Sequence, residues 1–278
     1  MMCKKILVSC LSAIMLLALT MTAIADSPVD WGKGVVRATG IGAGKKGTPQ
    51  NSGIYRAQAK RAAIMDAQRN LAENVKGVRI TAESTMEDLS LQSDVVRTRV
   101  DTIIKGMNEV SSQFNEDGTY EVVLEMPLFG GGDSLASAAF LPFKDEQKVS
   151  FPAPTKAVTD SGEQGGGTGY TGLIVDCRGM NINFVMSPVI KNADGTNIYG
   201  HQNLDYDKII VNGMVSYATS ADDQVSRSRA GSNPLVVKAV SLSDLNANPV
   251  LSVADADKVL AANQRAKFLD SCAVVFLK

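Results

Sequence analysis

Residues that could perform catalysis are scarce in this 278-residue sequence, which contains a single histidine. His201 lies in the segment NIYGHQNLDYD, between two predicted strands. A Ser-His or Cys-His mechanism would have to use it, but no G-x-S-x-G turn or comparable nucleophile motif accompanies it. We therefore predict a loop histidine and no catalytic residue. A periplasmic hydrolase that uses His201 or an acidic cluster is an alternative.

Aspartates that follow this histidine could offer oxygen ligands to calcium: Asp205, Asp207, Asp222 and Asp223. Calcium takes about six to eight oxygen ligands, and its common loop combines spaced Asp and Asn residues, a glycine and a terminal glutamate. That spacing does not occur in this stretch. We predict solvated loop acids, no metal site and no cofactor.

The glycine-rich run GIGAGKK, Gly40 to Lys46, resembles a nucleotide-binding loop only superficially. A phosphate loop would need glycine at Thr39 and serine or threonine at Lys46. The dinucleotide pattern GxGxxG fails because Lys45 stands in place of its third glycine. We predict that these glycines let the chain turn between a strand and a helix.

The first 25 residues have the parts of a secretory signal peptide: basic Lys4–Lys5, an apolar run over Ile6–Met21 and small residues at Ala23–Ala25. We predict export, with cleavage after Ala25. A membrane anchor is the alternative, but the run is short for a hydrocarbon core of about 30 Å. The segment Leu7–Cys10 resembles a lipid-attachment motif, although most of the apolar run follows it.

Two cysteines remain after signal removal, Cys177 and Cys272. In an oxidising compartment an even pair predicts a possible disulfide. Such a bridge would close a loop of about 95 residues and would stabilise the fold by roughly 4 to 5 kcal/mol at most. Both lie on predicted apolar strand faces, so two buried thiols in separate parts of the core are the alternative.

The composition is that of an ordinary globular chain, with 45% hydrophobic and 21% charged residues. A net charge of −1 at pH 7 gives no electrostatic basis for binding nucleic acid. No basic stripe with interleaved aromatic residues is present either. The length favours two modest domains, and one large domain is the alternative.

The segment Ile54–Gly77 predicts a long helix, because apolar residues recur at helical spacing, namely Ala57, Ile64, Ala67, Leu71 and Val75. Its opposite side is interpreted as a solvated face, with Asp66, Arg69, Glu73 and Lys76. Gly77 is expected to end the helix as a left-handed cap. The period then changes to two, which predicts a half-buried strand with Val78, Ile80 and Ala82 on one side.

The rest of the first domain, residues 31–129, is predicted as a helix and a hairpin. Leu89–Ile104 is assigned as the helix, although its β-branched residues would also suit a strand. Met107–Phe114 and Thr119–Leu128 are strands joined by a turn at Asn115–Gly118. The order β-α-β-α-β-β indicates an α+β fold, in which the long helix packs on an antiparallel or mixed sheet.

Residues 130–169 form a predicted Gly- and Pro-rich linker, interrupted by the apolar segment Leu135–Phe143. Residues 170–278 form a second, smaller α/β domain. Its predicted elements are strands around Leu173–Cys177, Phe184–Ile190 and Leu235–Val240, a turn at Asn192–Gly195, a helix capped by Ser252 and Asp255, and a central strand at Cys272–Leu277.

The segment RAQAKRAAIMDAQRNLAENVKGVRITAESTMEDL, with DVVRTRVDTIIKG and DGTYEVVLEMPL, resembles the domain of the bacterial twenty-kilodalton membrane-associated lipoprotein family. It is also similar to the N-terminal domain of the flagellar assembly protein FlgT. The resemblance covers about Val35 to Leu128. It implies a small α/β domain in the cell envelope with no known catalytic residues. Some relatives are outer-membrane lipoproteins, and FlgT helps to build a ring around the flagellar motor.

Together these observations predict a non-enzymatic, exported cell-envelope protein that acts through protein–protein contacts in the periplasm or at the outer membrane. The resemblance names flagellar basal-body or outer-membrane components as candidate partners. The alternative from a different class is a periplasmic module that binds a small ligand between its two domains.

Overall fold

The computed structural model describes residues 27–107, 109–156 and 169–278. Its helices and sheets confirm the predicted α+β class. The predicted signal peptide and residues 157–168 of the predicted linker lie outside the described ranges. Within these ranges, no helix combines the length and the apolar character needed to cross a bilayer.

The first domain contains a four-stranded antiparallel sheet in the order β1-β2-β4-β3. Its strands are β1 (Val29–Asp30), β2 (Val35–Ala43), β3 (Glu109–Phe114) and β4 (Thr119–Pro127). The predicted β3–β4 hairpin is confirmed, and Gly118 adopts φ +84° in its turn. Three helices accompany the sheet: α1 (Gly53–Lys76), α2 (Met86–Gln92) and α3 (Asp94–Gly106).

Helix α1 lies directly on the sheet because small residues face each other across the contact. Its buried residues recur every fourth position: Tyr55, Ala59, Ala63, Ala67, Leu71 and Val75. A Cβ atom on Gly40 would overlap the backbone of Ala67, and one on Gly42 would overlap that of Ala63. The predicted stripe is therefore correct from Ala67 onward, but Ala57 is exposed and Ile64 is only half-buried.

Strand β1 pairs with only the first two residues of β2. Beyond them, polar side chains of α1 form hydrogen bonds with the backbone groups on this edge of β2. The Asp66 carboxylate accepts from the Ile41 amide at 3.0 Å. The Asn70 amide donates to the Thr39 carbonyl at 2.9 Å, and an equivalent bond joins Asn74 to Arg37 at 2.8 Å. Asp66 is therefore a structural side chain and not part of a solvated face, in contrast to the sequence-based interpretation.

The strand predicted after α1 is wrong, because this segment forms no strand. The side chains expected on its inner side are nevertheless buried, namely Val78, Ile80 and Ala82. The Ile80 amide donates to the Ser84 carbonyl at 2.9 Å, so the chain folds back. Thr85 then starts α2 through a reciprocal cap with Asp88. Because this cap starts a new helix so soon, too few residues remain for a strand.

Two details of the predicted helices also differ. Gly77 follows α1 with φ −75°, so it is not the left-handed cap that the sequence suggested. The single helix expected over Leu89–Ile104 is divided into α2 and α3 at Ser93. The Ser93 hydroxyl caps α3 by accepting from the Val96 amide at 3.4 Å.

The predicted linker contains a buried helix, α4 (Leu135–Ala139), which packs against α3. A 3₁₀ turn follows at Leu141–Phe143. Further along, the amide of Val149 donates to the Gln202 carbonyl at 2.8 Å. Thr155 donates to the buried Asp257 carboxylate through its amide at 2.7 Å and its hydroxyl at 2.6 Å. The described part of this segment thus contacts the first domain through α4 and the second domain through Val149 and Thr155.

The second domain is built on a parallel sheet in the order β8-β12-β5-β9. Its strands are β5 (Gly172–Asp176), β8 (Ser216–Ala218), β9 (Pro234–Lys238) and β12 (Val274–Leu277). All residues of β12 are buried, which confirms the predicted central C-terminal strand. The predicted strand at Leu235–Val240 corresponds to β9.

A smaller mixed sheet, in the order β10-β11-β6-β7, completes the domain. Its strands are β6 (Ile190–Asn192), β7 (Asn197–Tyr199), β10 (Ser241–Ser243) and β11 (Asn248–Leu251). The predicted strand from Phe184 is thus confined to its last residue, whereas the turn at Asn192–Gly195 is confirmed. The helices are α5 (Tyr206–Asn212), α6 (Gln224–Ala230) and α7 (Val253–Ala266), and Ser252 caps α7 as predicted.

Candidate functional site

The tryptophan in the turn between β1 and β2 contacts an aromatic cluster of the second domain. The Trp31 ring lies 6.0 Å from that of Phe184 and 5.8 Å from that of Tyr217, edge-on to both. Tyr217 in turn meets Phe276 of β12 at 6.0 Å. The Lys278 ammonium lies 4.7 Å from the centre of the Phe184 ring. This cluster joins the first sheet to the parallel sheet.

Tyr217 is held rigidly within this cluster. Its hydroxyl accepts from the Val185 amide and donates to the Val185 carbonyl, both at 3.0 Å. Complete burial raises the pKa of Tyr217 well above its ordinary value, and the hydrogen bond from Val185 opposes that shift. The phenol is therefore neutral and acts as a fixed bridge between β8 and the segment before β6.

Backbone hydrogen bonds close the junction on the side of the chain that follows α1. The Met186 amide donates to the Arg79 carbonyl at 3.0 Å, and the Ser187 amide donates to the Ile80 carbonyl at 2.7 Å. Beside them a buried cluster contains Ala82 of the first domain with Val185 and Ala247 of the second. Two backbone carbonyls of the segment that was predicted as a strand thus accept hydrogen bonds from the second domain.

A pocket of about 220 Å³ opens at this junction, beside Trp31. Each domain contributes six lining residues, among them Trp31, Lys33 and Phe129 of the first domain and Val211, Asn212 and Ser216 of the second. Seven of the twelve lining residues are apolar or aromatic, but polar atoms make up the larger part of the exposed wall. The polar groups among these side chains can all donate hydrogen bonds, through an indole N–H, an ammonium, an amide and a hydroxyl.

Arg229 of α6 does not line the pocket itself but contacts the lining residue Asn212. Its guanidinium donates to the carbonyls of Asn212 and Gly213, at the end of α5. Its Nε atom is buried without a hydrogen-bond partner among the described residues. Nor does any described carboxylate form an ion pair with this guanidinium. A positive charge therefore lies next to the pocket without a paired acid.

His201 is not part of the junction pocket. It begins a 3₁₀ turn, His201–Asn203, and its Nδ1 atom lies 3.0 Å from the Tyr206 hydroxyl. Its ring lies 5.9 Å from that of Phe143. Burial lowers the pKa of His201, although nearby Glu146 opposes the shift. The histidine thus packs in an aromatic cluster with Phe143, which lies within the predicted linker.

The aspartates that could have bound calcium serve as helix caps or lie at the surface. Asp205 caps α5, and Asp223 caps α6 by accepting from the Ser226 amide at 2.8 Å. Asp207 pairs with Lys144 at 3.0 Å. Among the described residues, no group of three His, Cys, Asp or Glu side chains is placed to hold a metal ion.

Cys177 and Cys272 are both buried free thiols, in contrast to the possible disulfide. Cys177 follows β5 and Cys272 precedes β12, and these neighbouring strands run parallel with Leu173 beside Val274. Four paired residues lie between the two positions and alone span about 10 Å at roughly 3.3 Å per residue, whereas a disulfide needs Cα atoms within about 7 Å. Burial raises the pKa of the Cys177 thiol to about 12.

The glycine-rich run has a structural role, but a different one from the predicted turn. Gly40 and Gly42 lie within β2, where they admit the backbone of α1. A Cβ atom on Gly44 would overlap the Tyr55 ring. These glycines therefore permit close packing of helix on strand.

The sequence analysis did not single out the residues of the junction pocket. One available signal was Trp31, the only tryptophan of the chain, in the turn sequence WGKG. The turn is tight, since Gly34 adopts φ +68°. Asn212 and Ser216 carry no comparable signal, because their sequence neighbours do not indicate that they lie beside the first domain.

Two known protein families match separate parts of the chain. Residues 37–126 match the LPP20 lipoprotein family, which confirms the predicted resemblance to the twenty-kilodalton lipoproteins. Residues 172–278 match the second domain of Treponema pallidum Tp0624. No curated protein matches the chain. The similarity to FlgT stays a prediction.

Proposed function

We propose that this protein is a non-enzymatic, exported component of the bacterial cell envelope, and that its two domains form one rigid scaffold for protein–protein contacts. The match of residues 37–126 to the LPP20 lipoproteins supports a place in the envelope. The sequence adds a predicted signal peptide. Outer-membrane or flagellar basal-body proteins are the candidate partners.

One observation carries the rigid-scaffold part of the proposal: the junction is packed and hydrogen-bonded. The Trp31 ring meets two aromatic rings of the second domain, and the Arg79 and Ile80 carbonyls accept hydrogen bonds from that domain. A protein that closes its domains over a substrate needs a hinge that can open. An interface with fixed backbone bonds instead favours a constant arrangement of outer surfaces.

The corner between α2 and α3 is a suitable place to search for a partner. Leu91 and Val95, on either side of the Ser93 cap, are 77% and 62% exposed. Single exposed apolar residues are common on soluble proteins, but neighbouring ones are more typical of contact surfaces. The second domain offers a control position, Leu245, which is also 62% exposed.

Site-specific photo-crosslinking in the native envelope tests the proposal. A crosslinking amino acid at Leu91 is expected to yield a discrete adduct of fixed mass, whereas one at Leu245 should yield none or a different one. The adduct from Leu91 should disappear in the variant Val95→Asp, which changes the same surface. Absence of a discrete adduct at Leu91, Met65 and Ile54, all strongly exposed, would refute the scaffold function.

Export is tested separately by the mass of the mature chain. Cleavage after Ala25 gives a protein that begins at Asp26, and the variant Cys10→Ala should then fractionate like the wild type. A lipid-modified N-terminus at Cys10, lost in that variant together with membrane association, would instead establish an anchored lipoprotein. Unprocessed protein in the cytoplasmic fraction would exclude the envelope location.

A further inference from the structure

We propose that the junction pocket beside Trp31 binds a small organic anion with an apolar body, such as an aromatic carboxylate. The pocket draws its walls from both domains, and small-molecule sites commonly occur at such interfaces. This binding role goes beyond the scaffold function. A scaffold whose junction holds a ligand would be stabilised by that ligand in its assembled form.

The volume limits the size of the ligand. At about 220 Å³ the pocket is smaller than the roughly 300 Å³ and above that is typical of sites for drug-sized molecules. A nucleotide or a sugar chain is therefore too large, whereas a single aromatic ring with one substituent fits.

The aromatic side chains among the lining residues favour a ligand with an aromatic ring. Trp31 and Phe129 of the first domain face a lining that also contains Val185 and Val211. Aromatic side chains favour offset or edge-on packing against another ring. Trp31 already packs edge-on against Tyr217, which also lines the pocket. A planar ring would continue this aromatic cluster into the pocket.

The charges around the pocket indicate an anionic group on that body. Lys33 lines the pocket, and its only described ion pair, with Asp30, is long at 3.7 Å and exposed, so that pair contributes little. Arg229 lies behind Asn212 without a carboxylate partner among the described residues. No lining residue that the structure describes is acidic. Ser216 and Asn212 can add neutral hydrogen-bond donors.

Trp31 provides a direct measurement, because it is the only tryptophan and it lines the pocket. Titration of the full mature chain with benzoate is expected to change the Trp31 emission in a saturable way. Benzamide has nearly the same shape without the charge. It should bind at least about tenfold more weakly, since hydrogen bonds to a charged acceptor are the stronger ones.

Two variants and a matched control locate the binding. Val211→Phe, which fills the pocket from an exposed position, should abolish the saturable response, and Lys33→Gln should raise the benzoate Kd about three- to tenfold. Val236 is as exposed as Val211, at 53% against 54%, so Val236→Phe should leave the Kd unchanged. A linear response to benzoate, equal binding of benzamide, or an unchanged Kd in both pocket variants would overturn the proposal.

Discussion

In the first domain a single long helix covers one face of an antiparallel sheet, whereas in the second domain the central strands β5 and β12 of a parallel sheet are buried on both faces. The helix and sheet of the first domain meet through glycine and alanine, as Gly40 and Gly42 do with Ala67 and Ala63. Every buried Ser, Asn or Asp side chain that the structure describes lies beyond residue 133, mostly in the second domain. Asp257 of α7 is an example.

This difference indicates where each domain is vulnerable. The stability of the first domain depends on the glycines of β2, because the backbones of α1 and β2 lie too close together to admit an added methyl group. The second domain depends on buried polar groups whose hydrogen bonds must stay complete. It also depends on β12, a central strand contributed by the last residues of the chain. The following predictions test this contrast.

The largest effect is expected from deletion of residues 274–278. These residues form β12, which pairs with both β5 and β8, so its loss divides the parallel sheet. The second domain should lose its protease resistance, while the helical signal of α1 should remain in circular dichroism. A resistant fragment spanning residues 170–273 would contradict the central role of β12.

Gly40→Val is expected to destabilise the first domain by about 3 kcal/mol, because the new side chain must push α1 away from β2. Chemical denaturation of the mature chain measures the free energy of unfolding. Gly106→Ala is the control, since a Cβ atom there meets no neighbour within 4 Å. That change in helix α3 should stabilise by about 0.5 kcal/mol. Equal effects of the two substitutions would refute the close-packing argument.

Asp257→Asn should destabilise the second domain by about 2 kcal/mol, because the carboxylate accepts two hydrogen bonds from Thr155 and one from Lys156. Thermal unfolding measures this loss, and Asp255→Asn on the same helix is a useful comparison. Loss of these hydrogen bonds should also release the chain segment around Thr155 and Lys156 from α7 and expose it to protease. If cleavage in this segment is unchanged in Asp257→Asn, the hydrogen bonds to Asp257 do not hold the segment against the second domain.

The same carboxylate gives a pH dependence with a definite sign. Burial opposes ionisation of Asp257, but the hydrogen bonds from Thr155 and Lys156 outweigh it and hold its pKa below the ordinary value. The stabilisation is therefore complete above the unfolded pKa of about 4 and is lost as the pH falls through the folded pKa. Between neutral pH and pH 5 the contribution should stay constant, and it should be absent in Asp257→Asn.

The smallest effect is expected at the edge of β2. Asn74→Ala removes the hydrogen bond to the Arg37 carbonyl and should destabilise the first domain by about 1 kcal/mol. Glu73→Ala is the neighbouring control, because Glu73 forms only an exposed ion pair with Lys76. If the two substitutions have the same effect on the free energy of unfolding, the edge bonds do not matter for stability.

Local sequence patterns were reliable where a local interaction determines the structure. The α1 helix, the β3–β4 hairpin with Gly118, the Ser252 cap and the buried strand β12 all follow from spacing, turn chemistry or apolar runs. After α1 the expected strand is replaced by a fold-back, and the Arg79 and Ile80 carbonyls accept hydrogen bonds from amides more than 100 residues away in the sequence. No local window contains that information.

The candidate site illustrates the same limit. The sequence directed attention to His201 and the two cysteines, because these residue types are reactive in many proteins. Their surroundings decide otherwise: His201 packs against Phe143 and Tyr206, and the cysteines lie at opposite ends of parallel strands. The junction pocket instead combines Trp31 with Asn212 and Ser216 from a distant segment.

The sequence by itself determined the long alanine-rich helix, the hairpin that follows it, the buried C-terminal strand and the resemblance of the first domain to the LPP20 lipoproteins. These features depend on interactions between residues that are near one another in the chain or on the periodicity of apolar side chains. Only the tertiary structure decided that the two domains share an aromatic and backbone-bonded junction with a pocket. Contacts between distant segments depend on the packing of completed elements, which no local pattern encodes.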